Sequence, residues 1–306
     1  MEGSLEVLES QHSIAMFRTL DTAGPLASSL PPTLVWGGRM NGNPGEVFHG
    51  IGSVPVLKKG DKYPYFKKVE TFLQRFGYLD RAQHPSQGVL TEEVSDALER
   101  YQKLHALSVT GEFDEETRAQ MTTSRCGMAD PGSSLTYVTV CPWDRTNLTF
   151  SFTSGTSDVL GDEEFGAVRN AFETWALSTP LTFTEVSAGS NPDIAVGWHP
   201  TIAYDHDMTG DVVAHSDNPP DCSILDFGPP QPLHFDNGEQ YWAIGEEPGA
   251  YDVESVALHE IGHLIGLDHS SNPAAVMFSQ LNPNSIRRSL WPDDLIGALT
   301  LYPFQP

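Results

Sequence analysis

Residues 259–269 read HEIGHLIGLDH, and the rest of the chain can be read outward from them. His259 and His263 stand four positions apart, slightly more than one helical turn, so a helix would project both imidazoles from one face. Gly266 can take the left-handed conformation that ends a helix and turns the chain back, and His269 follows it. Three neutral ring nitrogens can then meet one zinc ion and leave a fourth position for water. Glu260 sits beside that position without being a ligand, placed to accept the proton of the attacking water as a general base. A buried helix with incidental histidines is the plain alternative, and so many fixed positions argue against it.

Composition sets the frame. A chain of 306 residues has room for two compact domains. A formal charge of −24 argues against nucleic acid as a partner, which needs a basic footprint. No apolar run approaches the ~20 residues that cross a bilayer, and the start, MEGSLEVLESQHSIAMF, lacks the basic segment and apolar core of a secretory signal. Three cysteines, Cys126, Cys141 and Cys222, leave one thiol over if two pair, and Cys141 with Cys222 is one pairing open to them. Asn147-Leu148-Thr149 fits the glycosylation pattern, which matters only for a secreted chain.

Residues 1–59 carry scattered Gly, Pro and Ser without apolar periodicity and read as a loose leader. From Tyr63 onward, Phe66, Val69, Phe72, Leu73 and Phe76 recur at helical steps, and Gly77 stops them. Thr91 is a good N-cap for a second helix that buries Val94, Leu98, Tyr101 and Leu104, and a third, short helix starts near Asp114. The three form a bundle over residues 60–123. Short runs rich in Thr, Val and Phe then predict strands at 135–140, 148–152, 181–186 and 194–198, with a helix over 161–179 between the second and third. Strands around a crossover helix imply a twisted mixed sheet packed by helices.

The run from Gly88 to Met121 resembles the peptidoglycan-binding-like prodomain of matrix metalloproteinases, and LTYVTV, AFETWALSTPLTFTEV and DIAVGW are similar to the opening half of a matrixin catalytic domain. Residues 275–279, AVMFS, resemble the Met-turn of the metzincin clan, with Met277 beneath the metal but not bound to it. Between bundle and catalytic half, SRCGMAD at 124–130 resembles the family's cysteine-switch motif PRCGxPD with both prolines replaced. That resemblance implies that Cys126 fills the fourth zinc position in a latent form and that Arg125 pairs with Asp130. It further implies an α+β fold: a small three-helix prodomain, a switch segment and linker over 124–134, and over 135–306 a zincin catalytic domain with a five-stranded mixed sheet and three helices. Residues 212–215 would be the edge that holds an extended substrate, residues 280–290 the wall of the main specificity pocket, and residues 291–302 the closing helix with its paired aspartates. With residue 306 the resemblance stops short of a hemopexin-like domain or membrane anchor.

The family's structural zinc takes His and Asp from an HGD segment and two later histidines. His215 and His234 match the later two; His206 with Asp207 is the favoured reading of the altered first segment, and His199 the alternative. Asp236 and Glu239 match the family's calcium carboxylates, which suit the oxygen-rich ligation of that ion. The function expected is that of an extracellular zinc endopeptidase made as a zymogen, a monomer acting on protein or peptide substrates after release by an activating protease. A cell-wall-binding protein and an inactive zinc-stabilised scaffold are the rival expectations.

Overall fold

The computed structural model describes residues 50–80, 82, 84, 85, 87–130, 139–202, 207–223 and 228–304. All of them lie within the unit Met40–Pro306. The expected leader falls mostly outside the described residues, but its last ten do not. Ile51 and Val54 are fully buried and Leu57 nearly so, and Leu57 pairs with Phe113 across an antiparallel bridge. The bundle therefore begins before residue 60, held by three apolar side chains too few to establish a period.

The bundle consists of α1 (Lys67–Arg75), α2 (Glu92–Leu104) and α3 (Glu115–Met121). Thr91 and Asp114 cap the second and third by accepting from Val94 N and Thr117 N, which satisfies amides that have no partner within the helix. Phe66, Phe72, Phe76, Leu98, Tyr101 and Phe113 fill the centre.

In the catalytic half, β1 (Asn147–Phe152), α4 (Glu163–Ser178), β2 (Thr182–Glu185) and β3 (Ile194–His199) follow in order. Then come β4 (Ala214–Ser216), β5 (Gln231–Asp236), a separate two-stranded ladder of β6 (Trp242–Ala243) and β7 (Tyr251–Asp252), α5 (Val253–Leu264) and α6 (Pro292–Leu301). The five-stranded sheet has the order β2-β1-β3-β5-β4, which puts β4 at one edge, and only the β4–β5 pair is antiparallel. α4 and α5 cover one face: Trp175 of α4 is fully buried and its indole N–H donates to Leu258 O at 2.9 Å. Phe172 stacks on Phe150 of the sheet at 4.2 Å between ring centroids.

The strand expected at 135–140 lies mostly outside the described residues; Thr139 pairs antiparallel with Leu267, and Val140 N donates to Gly266 O at 2.8 Å. This strap is fastened behind α5. The Trp143 indole N–H donates to Leu264 O at 2.7 Å, and Cys141 forms a disulfide with Cys222. The free thiol is Cys126, which is buried.

Candidate active site

The first turn of α5 is set by Asp252, whose carboxylate accepts from Ser255 N at 3.0 Å. Its end is set by Gly266 at φ +94°, where a Cβ would also lie 2.0 Å from Cys141 O. Only glycine serves there, because it takes positive φ without cost and leaves the strap room. Gly262 matters for packing, since a Cβ on it would sit 2.2 Å from Met277 Sδ. The glycine inside HEIGH therefore opens the space in which the Met-turn packs against the helix.

That turn is itself clamped. Asp294 of α6 accepts from Val276 N at 2.9 Å, Met277 N at 3.0 Å and Trp291 N at 2.7 Å. With Val276 fixed, its carbonyl accepts from His259 Nδ1 at 2.7 Å. His263 Nδ1 donates to Leu267 O at 2.8 Å, and His269 Nδ1 donates to Asp130 Oδ1 at 2.8 Å. Carbonyl and carboxylate oxygens can only accept, so each Nδ1 carries the proton and each Nε2 is left with a lone pair.

The three Nε2 atoms converge. His263 Nε2 lies 3.2 Å from those of both His259 and His269, and Cys126 Sγ is 3.5 Å from it. All four ligand atoms lie within 4.8 Å of one another, and all four residues are buried. A tetrahedral zinc with bonds of about 2.0–2.1 Å to nitrogen and 2.3 Å to sulfur separates its ligand atoms by about 3.3–3.6 Å, close to these spacings. Buried lone pairs aimed at one point repel unless a cation sits between them, so the donor set fits zinc. Burial pushes the Cys126 thiol well above its ordinary pKa, with the charge of Glu260 adding to the effect; a bound cation acts in the opposite direction and favours the thiolate.

Glu260 is fully buried beside this cluster and accepts from Ser216 Oγ at 2.8 Å. Burial pushes its carboxyl up to about 7, against the pull of Cys126 and Ser216.

The segment that delivers Cys126 is held by main-chain bonds on both sides, by residues 211–214 and by residues 279–281. Arg125 N donates to Asp211 O at 2.8 Å, Val213 N to Arg125 O at 3.0 Å and Gly127 N to Ala214 O at 2.8 Å. On the other side Cys126 N donates to Ser279 O at 2.9 Å and Leu281 N to Ser124 O at 3.0 Å. Main-chain pairing of this kind is how an extended peptide is held at a sheet edge, and it runs along the residues expected to hold substrate. Arg125, 1 % exposed, binds Asp130 through two parallel hydrogen bonds of 2.9 and 2.7 Å and lies 3.5 Å over the Phe76 ring. Asp130 also accepts from Tyr78 Oη at 2.8 Å. Burial would raise the Asp130 carboxyl, but Arg125, His105 and His269 hold it well below the usual carboxylate range.

Sequence reading alone missed Ser216 and the contact of Asp130 with His269. The signal for Ser216 was its place directly after His215 on the expected cleft edge; nothing local marks the reach of Asp130 to a histidine 139 positions away.

Of the other expected metal ligands, three histidines lie near one another. His215 Nε2 lies 3.1 Å from His234 Nδ1, in directly opposed positions of β4 and β5. The His199 ring is 4.1 Å from that of His234. His206 falls outside the described residues, and Asp207 Oδ1 accepts from Thr209 N at 2.9 Å. Asp236 is fully buried: Oδ1 accepts from Thr201 Oγ1 at 2.9 Å and Gly238 N at 2.8 Å, while Oδ2 has no hydrogen-bond partner among the described residues. Burial raises its pKa, and the nearby charge of Glu239 adds to the effect. Glu239 itself accepts from Gly210 N at 2.7 Å.

Residues 142–303 match the family model described as Matrixin, and residues 64–121 match one described as a putative peptidoglycan binding domain. The chain belongs to the matrixin family. Among relatives, human Matrix metalloproteinase-19 is 33 % identical over 237 residues, covering 76 % of this chain and 44 % of its own length. Metalloendoproteinase 1-MMP of Arabidopsis thaliana is 30 % identical over 282 residues, covering 84 % of this chain and 74 % of its own length. Human Neutrophil collagenase is 32 % identical over 258 residues, covering 78 % and 51 %. The chain thus spans less than half of the Matrix metalloproteinase-19 it matches. As a matrixin it joins a bundle of the peptidoglycan-binding type to an α+β catalytic half, and no helix among its described residues is long and apolar enough to cross a membrane.

Proposed function

We propose that this matrixin is a zinc endopeptidase held latent by its own residues 124–130. The observation that supports it is the convergence of His259, His263 and His269 Nε2 with Cys126 Sγ at zinc-ligand spacing, each imidazole fixed by an acceptor at Nδ1. Zinc bound there supplies Lewis acidity to a water and to the scissile carbonyl. Glu260, held by Ser216, takes the proton of the attacking water and returns it to the leaving amine. The free edge at 212–214 and the backbone at 279–281 hold the peptide extended between them once residues 124–127 have left. While they remain, the thiol takes the position the water needs.

The Cys141–Cys222 disulfide favours an oxidising compartment and hence extracellular protein substrates. His199, His215 and His234 are assigned to a second, structural zinc; the imidazole clustering supports His199 for this role, with His206 and Asp207 the sequence-based choice. Asp236, with its unpartnered oxygen, and Glu239 are assigned to calcium.

Full-length protein should cleave a peptide only after Cys126 is titrated with an organomercurial, and a chelator should abolish that cleavage. Glu260→Ala should retain zinc by elemental analysis yet lose at least about a hundredfold in kcat. Undiminished turnover in that variant would sink the general-base assignment, and chelator-resistant cleavage would sink the zinc mechanism.

A further inference from the structure

Asn147 opens β1 and is exposed, with Thr149 two residues behind it. Side chains alternate across a strand, and here Leu148 and Phe150 are the buried pair. Phe150 turns toward α4, where it stacks on Phe172, so Asn147 and Thr149 share the opposite face of the strand. Asn147-Leu148-Thr149 is the acceptor pattern for an N-linked oligosaccharide, and it occurs once in the chain.

The Asn147 amide is half used. Its Oδ1 accepts from Thr182 Oγ1 at 2.7 Å, across the β1–β2 pair in which the two residues lie side by side. Its Nδ2 has no hydrogen-bond partner among the described residues, and with the oxygen held toward β2 the nitrogen is the end left for solvent. Thr149 is fully engaged instead. Its hydroxyl donates to Asp193 Oδ2 at 2.9 Å and accepts from Asp193 N at 3.1 Å, and its own backbone N–H donates to the same carboxylate at 2.7 Å. In the folded protein the hydroxyl that completes the pattern is therefore spent. Asp193 follows Thr149 by 44 residues, so a growing chain offers a free Thr149 for about 2–9 s at a synthesis rate of roughly 5–20 residues per second.

We propose that Asn147 carries an N-linked oligosaccharide, attached while the chain is still unfolded. The co-reactant is an oligosaccharide carried on a lipid diphosphate. Nδ2 attacks C1 of its first sugar; the Nδ2–C1 bond forms as the bond from C1 to the diphosphate oxygen breaks, the lipid diphosphate leaves with that electron pair, and one amide proton is lost to solvent. The site requires the oxidising compartment that the Cys141–Cys222 disulfide favours. β3 and β5 separate β1 from β4, so the sugars stand away from the cleft edge and beside β2, the opposite edge of the sheet.

The full chain behind an export signal is translated in the presence of endoplasmic-reticulum microsomes, and the protease-protected fraction is scored. The expected result is a single mass step that a peptide N-glycosidase removes, leaving a carboxylate where the Asn147 amide was. Asn147→Gln and Thr149→Ala should each abolish the step, and Thr149→Ser should keep it. Because transfer precedes folding, a variant that folds poorly still reports. A protected parent chain that stays unmodified overturns the proposal, as does a mass step that survives in Asn147→Gln. Unmodified chain that has already folded should remain unmodified when added to permeabilised microsomes, and modification there to the same extent overturns the timing. A protected chain in which Cys141 and Cys222 stay reduced overturns the compartment reading instead.

Discussion

Asp130 is the residue on which the proposed latent arrangement turns. It neutralises Arg125, accepts from Tyr78 and holds the proton of His269 Nδ1, so one carboxylate joins the bundle, the thiol-bearing segment and a metal ligand. Replacing one partner of a buried ion pair leaves the other charged and unsatisfied, at about 3–5 kcal/mol. Asp130→Asn should therefore release the thiol segment while leaving the catalytic residues in place. The full-length variant should cleave peptide with no organomercurial added and should be nicked by chymotrypsin between Asp130 and Cys141, where Leu135 and Tyr137 stand, faster than the parent; silence and equal resistance would show that the ion pair does not hold the segment. The replaced prolines of the motif fit this picture, since Ser124 and Ala129 leave the segment's rigidity to the ion pair and to strand pairing. That His259 and His263 share one face, with His269 brought round beyond Gly266, was legible from spacing because a helix and its glycine end fix that geometry locally. The fixing of His269 was not, because its acceptor comes from the other half of the molecule.

At the scale of elements, α5 carries two of the proposed ligands and the proposed general base, and its start depends on Asp252. Burial would raise that carboxyl, yet Arg288, Ser255 and Gly245 outweigh it and hold it below its ordinary 3.8. A depressed carboxylate contributes stability that is fully present above the ordinary value and is lost as pH falls through the folded one. Asp252→Asn should then lower stability near pH 6 by about 1–2 kcal/mol, because an amide still caps the helix but loses the charge-assisted bonds to Arg288, with the gap to the parent closing toward pH 3. Denaturant midpoints at both pH values check it, and a gap that widens in acid would contradict the sign. The strands at 148–152, 181–186 and 194–198 were found to within two residues from their Thr, Val and Phe content. The order of the sheet was not, since register and the position of β4 at the edge depend on pairings between distant segments. Residues 51–57 escaped notice for a related reason: Gly and Pro punctuate them, and only contact with Phe113 reveals them as core.

For the whole molecule, the two apolar cores are not sorted by domain. Cys126 and Met128 belong to the catalytic core, while Met208 and Val212 of the catalytic half belong to the core of the bundle. Neither arrangement is visible in local periodicity, because each half lends the other residues that its own pattern does not require. The exchange makes the contact between halves part of folding, so the bundle is expected to leave only after a chain break. Before a cut, the thiol acts on the metal centre as a tethered ligand at an effective concentration of roughly millimolar. After any cut between Asp130 and Cys141, it acts at the concentration of the protein in solution, a thousandfold or more lower at about micromolar dilution. A nicked sample should thus stay silent when concentrated and become active on dilution, with rising peptide turnover per molecule as the readout. On the proposed reading latency is a property of chain connectivity, and a single hydrolysed bond turns a tethered inhibitor into one that dilution can remove.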